Sequence, residues 1–242
     1  MKTALITGGT KGIGNAVAER LLKEKWNVVL TYFSDDQTAY ETQENLISLY
    51  PESIIRILKV DCGDLNAVAK IEDYLIENDI FIDALLFNAG ATDRSAFGNI
   101  DFENWQRVFD VNVNFPMFLL QKIPLRLNNE ASIVFTGSLM GIHPHSVSLS
   151  YGVTKAAVHA LVKNLVKILA PQKIRVNAVA PGFVNTEWQK SKPSEQKENI
   201  NKKISLGRFC EPSEVSDAYW FLISNKYMNG EILIVDGGYS MS

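Results

Sequence analysis

The chain has 242 residues, 46% of them hydrophobic, and a formal net charge of -3 at pH 7, which fits one domain with a substantial core and gives no basic surface for a nucleic acid. Its apolar runs are far shorter than the roughly 20 residues of a membrane-spanning helix, and its N-terminus reaches Gly8 too soon for a secretory signal, so a cytoplasmic protein is expected. Cys62 and Cys210 lie far apart, and His143 and His145 have no carboxylate or cysteine close in sequence, so neither a disulfide nor a metal site is predicted.

The chain alternates short apolar runs with longer segments of helical periodicity from end to end. This alternation is typical of βαβ units, in which parallel strands build a sheet that helices cover on both faces. The sequence therefore predicts an α/β fold with a doubly wound, seven-stranded parallel sheet, in one domain over residues 1–242. The predicted strands are residues 4–7, 27–32, 54–60, 84–88, 132–136, 175–179 and 231–235.

A glycine-rich run, residues 8–14, follows the first predicted strand and opens the first predicted helix. Residues without a side chain let the backbone turn sharply and approach a pyrophosphate, whose charge the N–H groups at the helix N-terminus would hold. Because a strand precedes the run and a helix follows it, we favour a Rossmann-type dinucleotide site over an ordinary strand-to-helix turn. The candidate contacts in this loop are Gly8, Thr10, Lys11, Gly12, Ile13 and Gly14.

The stretch that ends the second predicted strand decides between the two nicotinamide cofactors. An acid there would bind the hydroxyls of the adenosine ribose and repel a 2′-phosphate. The stretch reaches Ser34 without an acid, and Lys11 adds a positive charge on the same side, so NADPH is favoured over NADH. Asp35 and Asp36 keep NADH open, although we place them beyond the strand, at a helix N-terminus that favours acids in any case.

Two further strand ends carry candidate cofactor contacts. Asp61, followed by Cys62, comes after the third predicted strand, where its carboxylate could accept a hydrogen bond from the adenine amine. Asn88, Ala89 and Gly90 close the fourth strand, where small residues would let a ribose lie against the backbone. These residues extend the predicted cofactor site along the carboxyl edge of the sheet.

Tyr151 and Lys155 lie four residues apart at the start of a predicted helix, which places both side chains on one face. A neighbouring ammonium and an oxidised nicotinamide would both lower the phenol pKa from about 10, so Tyr151 could give and take a proton. Ser138, after the fifth predicted strand, could hydrogen-bond a substrate carbonyl as negative charge grows there. Asn112 is either a buried amide that holds a water for Lys155 or a satisfied core asparagine.

Residues 185–203 form a polar stretch, rich in lysine and glutamate, between the sixth predicted strand and the last predicted helix. The stretch is either a solvated pair of helices or a mobile lid over the pocket, because segments that follow the carboxyl end of a strand often carry function. The lid hypothesis covers about residues 185–208.

Taken together, these motifs resemble the short-chain dehydrogenase/reductase family over essentially the whole chain. The matching positions are Thr7, Gly8, Gly12, Gly14, Asn88, Ala89, Gly90, Asn112, Ser138, Tyr151, Lys155, Pro181, Gly182 and Thr186, with Asp236-Gly237-Gly238 near the end. The resemblance implies a catalytic tetrad, in which Lys155 also hydrogen-bonds the nicotinamide ribose, and a segment that contacts the carboxamide. The implied tetrad is Asn112, Ser138, Tyr151 and Lys155, and the implied carboxamide segment contains Pro181, Gly182, Val184 and Thr186.

Within that family the chain looks most like the 3-oxoacyl-[acyl-carrier-protein] reductases of fatty acid biosynthesis. The likeness implies that NADPH reduces a carbonyl to an alcohol, and that the protein forms a homotetramer through the helices that carry Asn112 and Tyr151. An acidic acyl carrier protein would meet basic residues beside the pocket. The basic candidates, which solvated helix faces explain equally well, are Lys122, Arg126, Lys163 and Lys167, and the apolar candidates for an interface are Phe115, Phe118, Leu119, Leu161 and Leu165.

Other functions stay open at this point. By the same resemblance, relatives with this tetrad act on sugars, steroids, quinones and small ketones. An alcohol dehydrogenase that uses NAD(H), or a catalytically idle dinucleotide-binding protein, would share the fold. An enoyl reductase is disfavoured, because that related group looks to place its tyrosine farther upstream of the lysine, and position 148 is a serine.

Overall fold

The computed structural model describes residues 1–144, 147–190 and 192–241, and its centre is a seven-stranded sheet. The strands are β1 (Thr3–Thr7), β2 (Asn27–Tyr32), β3 (Ile55–Lys59), β4 (Ile82–Phe87), β5 (Leu127–Thr136), β6 (Arg175–Pro181) and β7 (Ile232–Val235). Neighbouring strands are parallel, in the order β3-β2-β1-β4-β5-β6-β7. The predicted α/β fold with a doubly wound, seven-stranded parallel sheet is confirmed.

Helices cover both faces of the sheet. They are α1 (Gly12–Lys23), α2 (Asp36–Leu49), α3 (Ala67–Glu77), α4 (Phe102–Phe109), α5 (Phe115–Lys122), α6 (Leu149–Leu169), α7 (Glu187–Lys190), α8 (Ser194–Asn201) and α9 (Pro212–Ser224), and a π-helical turn, Asp110–Asn114, joins α4 to α5. Leu5 of β1 packs in the cluster that contains residues of α3, α5 and α6, whereas Ala4 and Ile6 pack in the cluster that contains residues of α1 and α9. Because successive side chains of a strand point to opposite faces, a strand covered on both sides is apolar throughout. Within the described residues, no helix combines the length and the apolar character needed to cross a membrane.

β5 begins five residues earlier than the apolar pattern predicts, at Leu127. The added residues are largely polar, and Glu130 is exposed with a φ of +65°. The pairing of Ile82 with Leu127 is followed by a register shift before Ala84 pairs with Ser132. Hydrophobic periodicity cannot detect such an extension, because its side chains do not alternate between buried and exposed positions.

The direction in which the chain proceeds across the sheet reverses between β1 and β4. β1 is flanked by β2 on one side and by β4 on the other, so the connections that follow β1 and β4 leave in opposite directions and open a crevice at the carboxyl edge. The loops that follow β5 and β6 border the same edge. Open α/β sheets bind their ligands at such a point.

Candidate active site

A cavity of about 520 Å³ opens at this edge of the sheet. Most of the sequence-predicted site residues line it, namely Gly8, Thr10, Lys11, Gly12, Ile13, Ser34, Asn88, Ala89, Gly90, Ser138, Tyr151, Lys155, Pro181, Gly182, Val184 and Thr186. Asp61 and Cys62 instead line an adjoining cavity of about 260 Å³. Gly14 and Asn112 lie outside both linings. The structure therefore brings the glycine loop and the Tyr/Lys pair together, although they are more than a hundred residues apart in sequence.

The glycine loop has the geometry that a pyrophosphate site needs. Gly8 and Gly12 have φ values of +62° and +52°, which strain any residue with a side chain. A Cβ on Gly14 would lie 2.2 Å from the carbonyl oxygen of Gly8, so Gly14 serves the packing of the loop on α1. Lys11 stands before α1 in extended backbone, and no described side chain caps the helix or adds an acid to its first turn. The N–H groups of that turn can therefore meet an anion, and the loop fits a dinucleotide.

Asn88 holds the loop in place. Its amide nitrogen donates to the carbonyl oxygens of Gly8 at 2.9 Å and Thr7 at 3.2 Å. The Thr7 hydroxyl in turn accepts hydrogen bonds from the backbone N–H groups of Asn88 and Ala89, at 3.0 and 3.1 Å. The end of β4 is thus tied to the end of β1, and the side-chain donors of Asn88 point at protein rather than at a ligand.

An ion pair between Lys11 and Asp35 stands in the cavity wall where α2 begins, and both residues line the cavity. Asp35 is the N-cap of α2, where its carboxylate accepts the backbone N–H of Thr38 at 3.1 Å. The Lys11 ammonium, followed by Thr38, lowers the Asp35 pKa to about 2. The predicted place of Asp35 beyond β2 is confirmed, but the carboxylate still reaches the site and shares the charge of Lys11. Asp36 instead binds Lys59, at 2.7 Å.

Asp61 meets a partner that the sequence did not indicate. Arg107 of α4 donates to both of its carboxylate oxygens, at 3.0 and 3.3 Å, and the Gly63 N–H donates to it at 2.8 Å. The Arg107 guanidinium also lies 5.4 Å from the centroid of the Phe33 ring. A second Arg107 nitrogen also donates at 3.3 Å, so four donor contacts already face the roughly four lone pairs of this carboxylate. A further donor would compete with Arg107 or Gly63. The adenine contact of Asp61 stays a prediction.

Tyr151 and Lys155 lie on one face of α6, with the Lys155 ammonium 5.4 Å from the centroid of the phenol ring. Lys155 is 3% exposed and donates to the carbonyl oxygen of Thr136 at 2.6 Å. Burial lowers the Lys155 pKa to about 8. The Ser138 hydroxyl has a lowering effect on the Tyr151 pKa, and it accepts the N–H of Met140 at 3.1 Å. The three groups named for proton transfer and carbonyl binding therefore meet in the cavity wall.

The protein by itself does not lower the Tyr151 pKa, and the lowering expected with an oxidised nicotinamide bound stays a prediction. Burial raises the Tyr151 pKa to about 12, against the smaller lowering effect of the Ser138 hydrogen bond. The physical reason is that a low-dielectric environment penalises the phenolate more than one neighbouring hydroxyl stabilises it. At neutral pH the phenol keeps its proton, which suits a proton donor.

Asn112 lies in the π-helical turn between α4 and α5. Its amide nitrogen donates to the carbonyl oxygen of Ala91 at 3.0 Å and to the Thr154 hydroxyl at 2.9 Å, and its amide oxygen accepts the N–H of Ala91 at 2.8 Å. Both amide hydrogens are used, so the side chain has none left for a water beside Lys155. Of the two predicted roles, this geometry favours the satisfied buried asparagine, which here joins the loop after β4 to α6.

Several cavity residues were not named as site residues from the sequence: Tyr32, Phe33, Thr136 and Gly137. Asp35, which was placed beyond the strand, also lines the cavity, as do Glu187, Trp188 and Gln189 of the predicted lid segment. Trp188 lies on α7, in the predicted lid segment, and packs edge-on against the Tyr151 ring with 5.8 Å between centroids. An aromatic residue inside an otherwise polar stretch was the available signal for it. Thr136 gave no such signal, because its role depends on a backbone carbonyl.

The cysteines and histidines show no metal chemistry in the part of the chain that the structure describes. Cys62 and Cys210 are free thiols, and burial raises their pKa values to about 12 and about 11. His143 is exposed, and His145 lies outside the described residues. No group of three His, Cys, Asp or Glu side chains that could hold a metal ion occurs among the described residues.

Known proteins resemble the chain over almost its full length. A family model described as enoyl-(acyl carrier protein) reductase matches residues 8–240. The chain is 34% identical over 242 residues to the uncharacterized oxidoreductase YmfI of Bacillus subtilis (strain 168), with 98% of each chain covered. It is 31% identical over 246 residues to the 3-oxoacyl-[acyl-carrier-protein] reductase FabG of Aquifex aeolicus (strain VF5), covering 98% of this chain and 96% of that protein. A short chain dehydrogenase from Burkholderia cenocepacia J2315, solved in complex with NADP, has a similar structure, with a TM-score of 0.92, 25% identity and coverage of 99% and 98%.

Proposed function

Because the chain belongs to the short-chain dehydrogenase/reductase family of nicotinamide-dependent oxidoreductases, we propose that it uses NADPH to reduce a carbonyl to an alcohol, on a substrate like a 3-oxoacyl thioester. The observation that carries the proposal is the meeting of Tyr151, Ser138 and Lys155 in the cavity that the glycine loop also lines. The FabG likeness supports the thioester substrate. Position 148 holds a serine, whose hydroxyl caps α6 by accepting the N–H of Tyr151. An enoyl reductase would place its tyrosine farther upstream of the lysine, so this serine supports ketone rather than enoyl reduction.

A bound nicotinamide dinucleotide would supply the hydride that reaches the carbonyl carbon. The residues that would hold it are those of the glycine loop and α1 for the pyrophosphate, Lys155 for the nicotinamide ribose, and the segment from Pro181 to Thr186 for the carboxamide. Asp61 and Cys62 in the adjoining cavity would lie beside the adenine. The positive φ values at Gly8 and Gly12 and the uncapped start of α1 support this placement.

Three side chains of the protein would manage the negative charge on the substrate oxygen. Ser138 would donate a hydrogen bond to that oxygen as charge develops. Tyr151, which keeps its proton because its pKa is raised to about 12, would give that proton to the oxygen. Lys155, with a pKa of about 8, is mostly a cation at neutral pH and would stabilise the phenolate that forms. Asn112 would contribute indirectly, because its hydrogen bonds hold Ala91 and Thr154 in position.

A dehydrogenase that works on an alcohol with NAD is the second candidate, and one observation favours it. Asp35 lines the cavity and pairs with Lys11. An acid would therefore stand near the adenosine ribose of a bound cofactor, and Lys11 would share its positive charge between Asp35 and any 2′-phosphate. The NADP complex of the Burkholderia relative supports the first candidate.

An acyl carrier protein would have fewer basic partners than the sequence predicts. Lys122 and Arg126 form ion pairs with Glu72 and Asp79, at 3.1 and 3.4 Å. Lys163 and Lys167 lie exposed on α6. Exposed cations steer an acidic partner more than they add affinity, so these two lysines are the stronger candidates for a carrier-protein surface.

The test is a substrate panel followed by nicotinamide absorbance, with acetoacetyl thioesters, simple sugars and cyclic ketones, each with NADPH and NADH. We expect the thioester with NADPH to react fastest, and Tyr151→Phe to lower kcat by about 10²- to 10⁴-fold, since it removes the proton donor. Tyr227→Phe, at a tyrosine that is 98% exposed, is the matched control. A silent panel would favour an idle binding protein, and full activity of Tyr151→Phe would end the acid assignment.

A further inference from the structure

Tyr219 is a buried phenol that the proposed chemistry does not use. It lies on α9 and is 0% exposed, among apolar neighbours such as Val215 and Leu222. A phenylalanine would fill the same space, whereas a buried phenol hydroxyl loses free energy unless it finds a partner. The hydroxyl therefore needs an explanation beyond packing.

That hydroxyl lies 2.6 Å from the hydroxyl of Thr136, the last residue of β5. The Thr136 hydroxyl also faces the amide oxygen of Asn88, at a longer 3.4 Å. An amide oxygen can only accept, so the single Thr136 hydrogen belongs on the Asn88 side. Tyr219 then donates its hydrogen to Thr136, and the bonds run in one direction, from α9 to β5 to the end of β4.

Thr136 touches both halves of the site. Its carbonyl oxygen accepts the Lys155 ammonium at 2.6 Å, and Ser138, which lines the cavity with Tyr151, follows two residues later. On the other side, Asn88 donates to the Gly8 carbonyl at 2.9 Å in the glycine loop. The position of this one strand end therefore affects the proton-transfer groups and the dinucleotide loop together.

We infer that Tyr219 is a positioning residue, which holds Thr136 from behind the sheet and so keeps the end of β5 aligned with Lys155 and the glycine loop. The inference rests on the proposed carbonyl reductase function. α9 lines neither cavity, and it takes part in the alignment of the site through Tyr219.

The position of Thr136 also affects the pH dependence of activity. A carbonyl acceptor favours the charged form of an amine, so an ill-placed Thr136 would lower the Lys155 pKa further below about 8. Activity that needs the ammonium would then be lost at a lower pH than in the parent. Among the described residues, Tyr151 and His159 on α6 lie near Lys155, and Lys163 lies one helical turn beyond His159. Tyr219 on α9 lies near Tyr151. The His159 pKa is lowered to about 4, so the histidine is neutral over the pH range in which Lys155 loses its proton.

The experiment compares Tyr219→Phe and Thr136→Val, singly and together, with the parent. In Tyr219→Phe we expect kcat to fall about threefold to tenfold, the alkaline limb of the kcat profile to move to lower pH, and KM for the ketone to stay unchanged, since the loss of one hydrogen bond is modest. Because both changes break the same bond, the double variant should be much less impaired than the two single effects combined. Thr136→Ser, which keeps the hydroxyl, should retain most of the parent rate.

The matched control is Ser216→Ala, which removes another buried hydroxyl from α9, one that bonds only the Ser213 carbonyl among the described residues. If Tyr219→Phe loses thermal stability as Ser216→Ala does, while kcat and the pH profile match the parent, Tyr219 is structural only and the inference falls. NADPH affinity, read by nucleotide fluorescence, tests the glycine-loop link without turnover. Weaker binding in Tyr219→Phe supports the inference and unchanged binding opposes it. If the parent reduces no carbonyl at all, the proposed function fails, and the binding measurement still decides the positioning role.

Discussion

At the scale of single residues, burial is the main cause of the pKa shifts of Tyr151 and Lys155. Burial lowers the Lys155 pKa to about 8 and raises the Tyr151 pKa to about 12, so each group moves toward its neutral form. The spacing of four residues correctly predicted that the two side chains are neighbours. The spacing could not predict that the Tyr151 pKa is raised, because this shift depends on how much water the folded protein excludes.

The Lys11–Asp35 ion pair leads to a prediction about cofactor choice. Asp35→Asn should raise the ratio of kcat/KM with NADPH to that with NADH by about tenfold, which corresponds to about 1.4 kcal/mol, because it frees the Lys11 charge for a 2′-phosphate. Asparagine caps helices about as well as aspartate does, so α2 should keep its stability.

The matched control for this change is Asp36→Asn. Asp36 carries the same charge one residue later but pairs with Lys59. Steady-state kinetics with both cofactors measure the effect. An unchanged ratio in Asp35→Asn would show that Lys11 does not contact the cofactor phosphate.

At the scale of elements, α7 and α8 occupy the polar stretch in which the sequence predicts either solvated helices or a lid. A solvated helix pair and a lid can both be helical, so the helices alone do not decide between the two hypotheses. The edge-on contact of Trp188 with Tyr151 connects α7 to the site and supports the lid, whose motion stays a prediction. Hydrophobic periodicity could not reveal this contact, since one aromatic residue in a four-residue helix produces no pattern.

The same contact predicts that Trp188 shapes the substrate site. Trp188→Ala should raise KM for the ketone about threefold to tenfold while leaving the NADPH dissociation constant unchanged, because the aromatic contact faces Tyr151. Trp188→Phe keeps an aromatic edge and should lie between alanine and the parent. Equal loss of NADPH binding in the alanine variant would instead place Trp188 against the cofactor.

At the scale of the whole molecule, the structure narrows the surface available for the predicted homotetramer. Phe115, Leu119 and Leu165 are buried in the core of the single chain, so they cannot serve an interface as well. Phe118 on α5 is 47% exposed, and Val153 on α6 is 41% exposed. Exposed apolar residues on neighbouring helices are the features that an interface would cover.

We predict that light scattering gives the mass of a tetramer and that Phe118→Asp shifts it to a smaller species, since a carboxylate buried in an interface is unfavourable. Leu49→Asp is the control, because Leu49 is 57% exposed on α2. A monomeric parent, or a tetramer that Phe118→Asp leaves intact, would contradict the prediction.

The sequence by itself determined the seven strands, their α/β alternation, the glycine loop and the order of Asn88, Ser138, Tyr151 and Lys155. These features depend on local periodicity and on backbone conformations that few residue types adopt. Only the tertiary structure decided that Asp35 pairs with Lys11 and that Arg107 binds Asp61. It also decided that the Asn112 amide hydrogen-bonds protein partners, and that Tyr219 meets Thr136 across 83 residues of chain. The reason is that a hydrogen bond or an ion pair depends on which strand ends and helices the sheet order brings together, and no local pattern records that order.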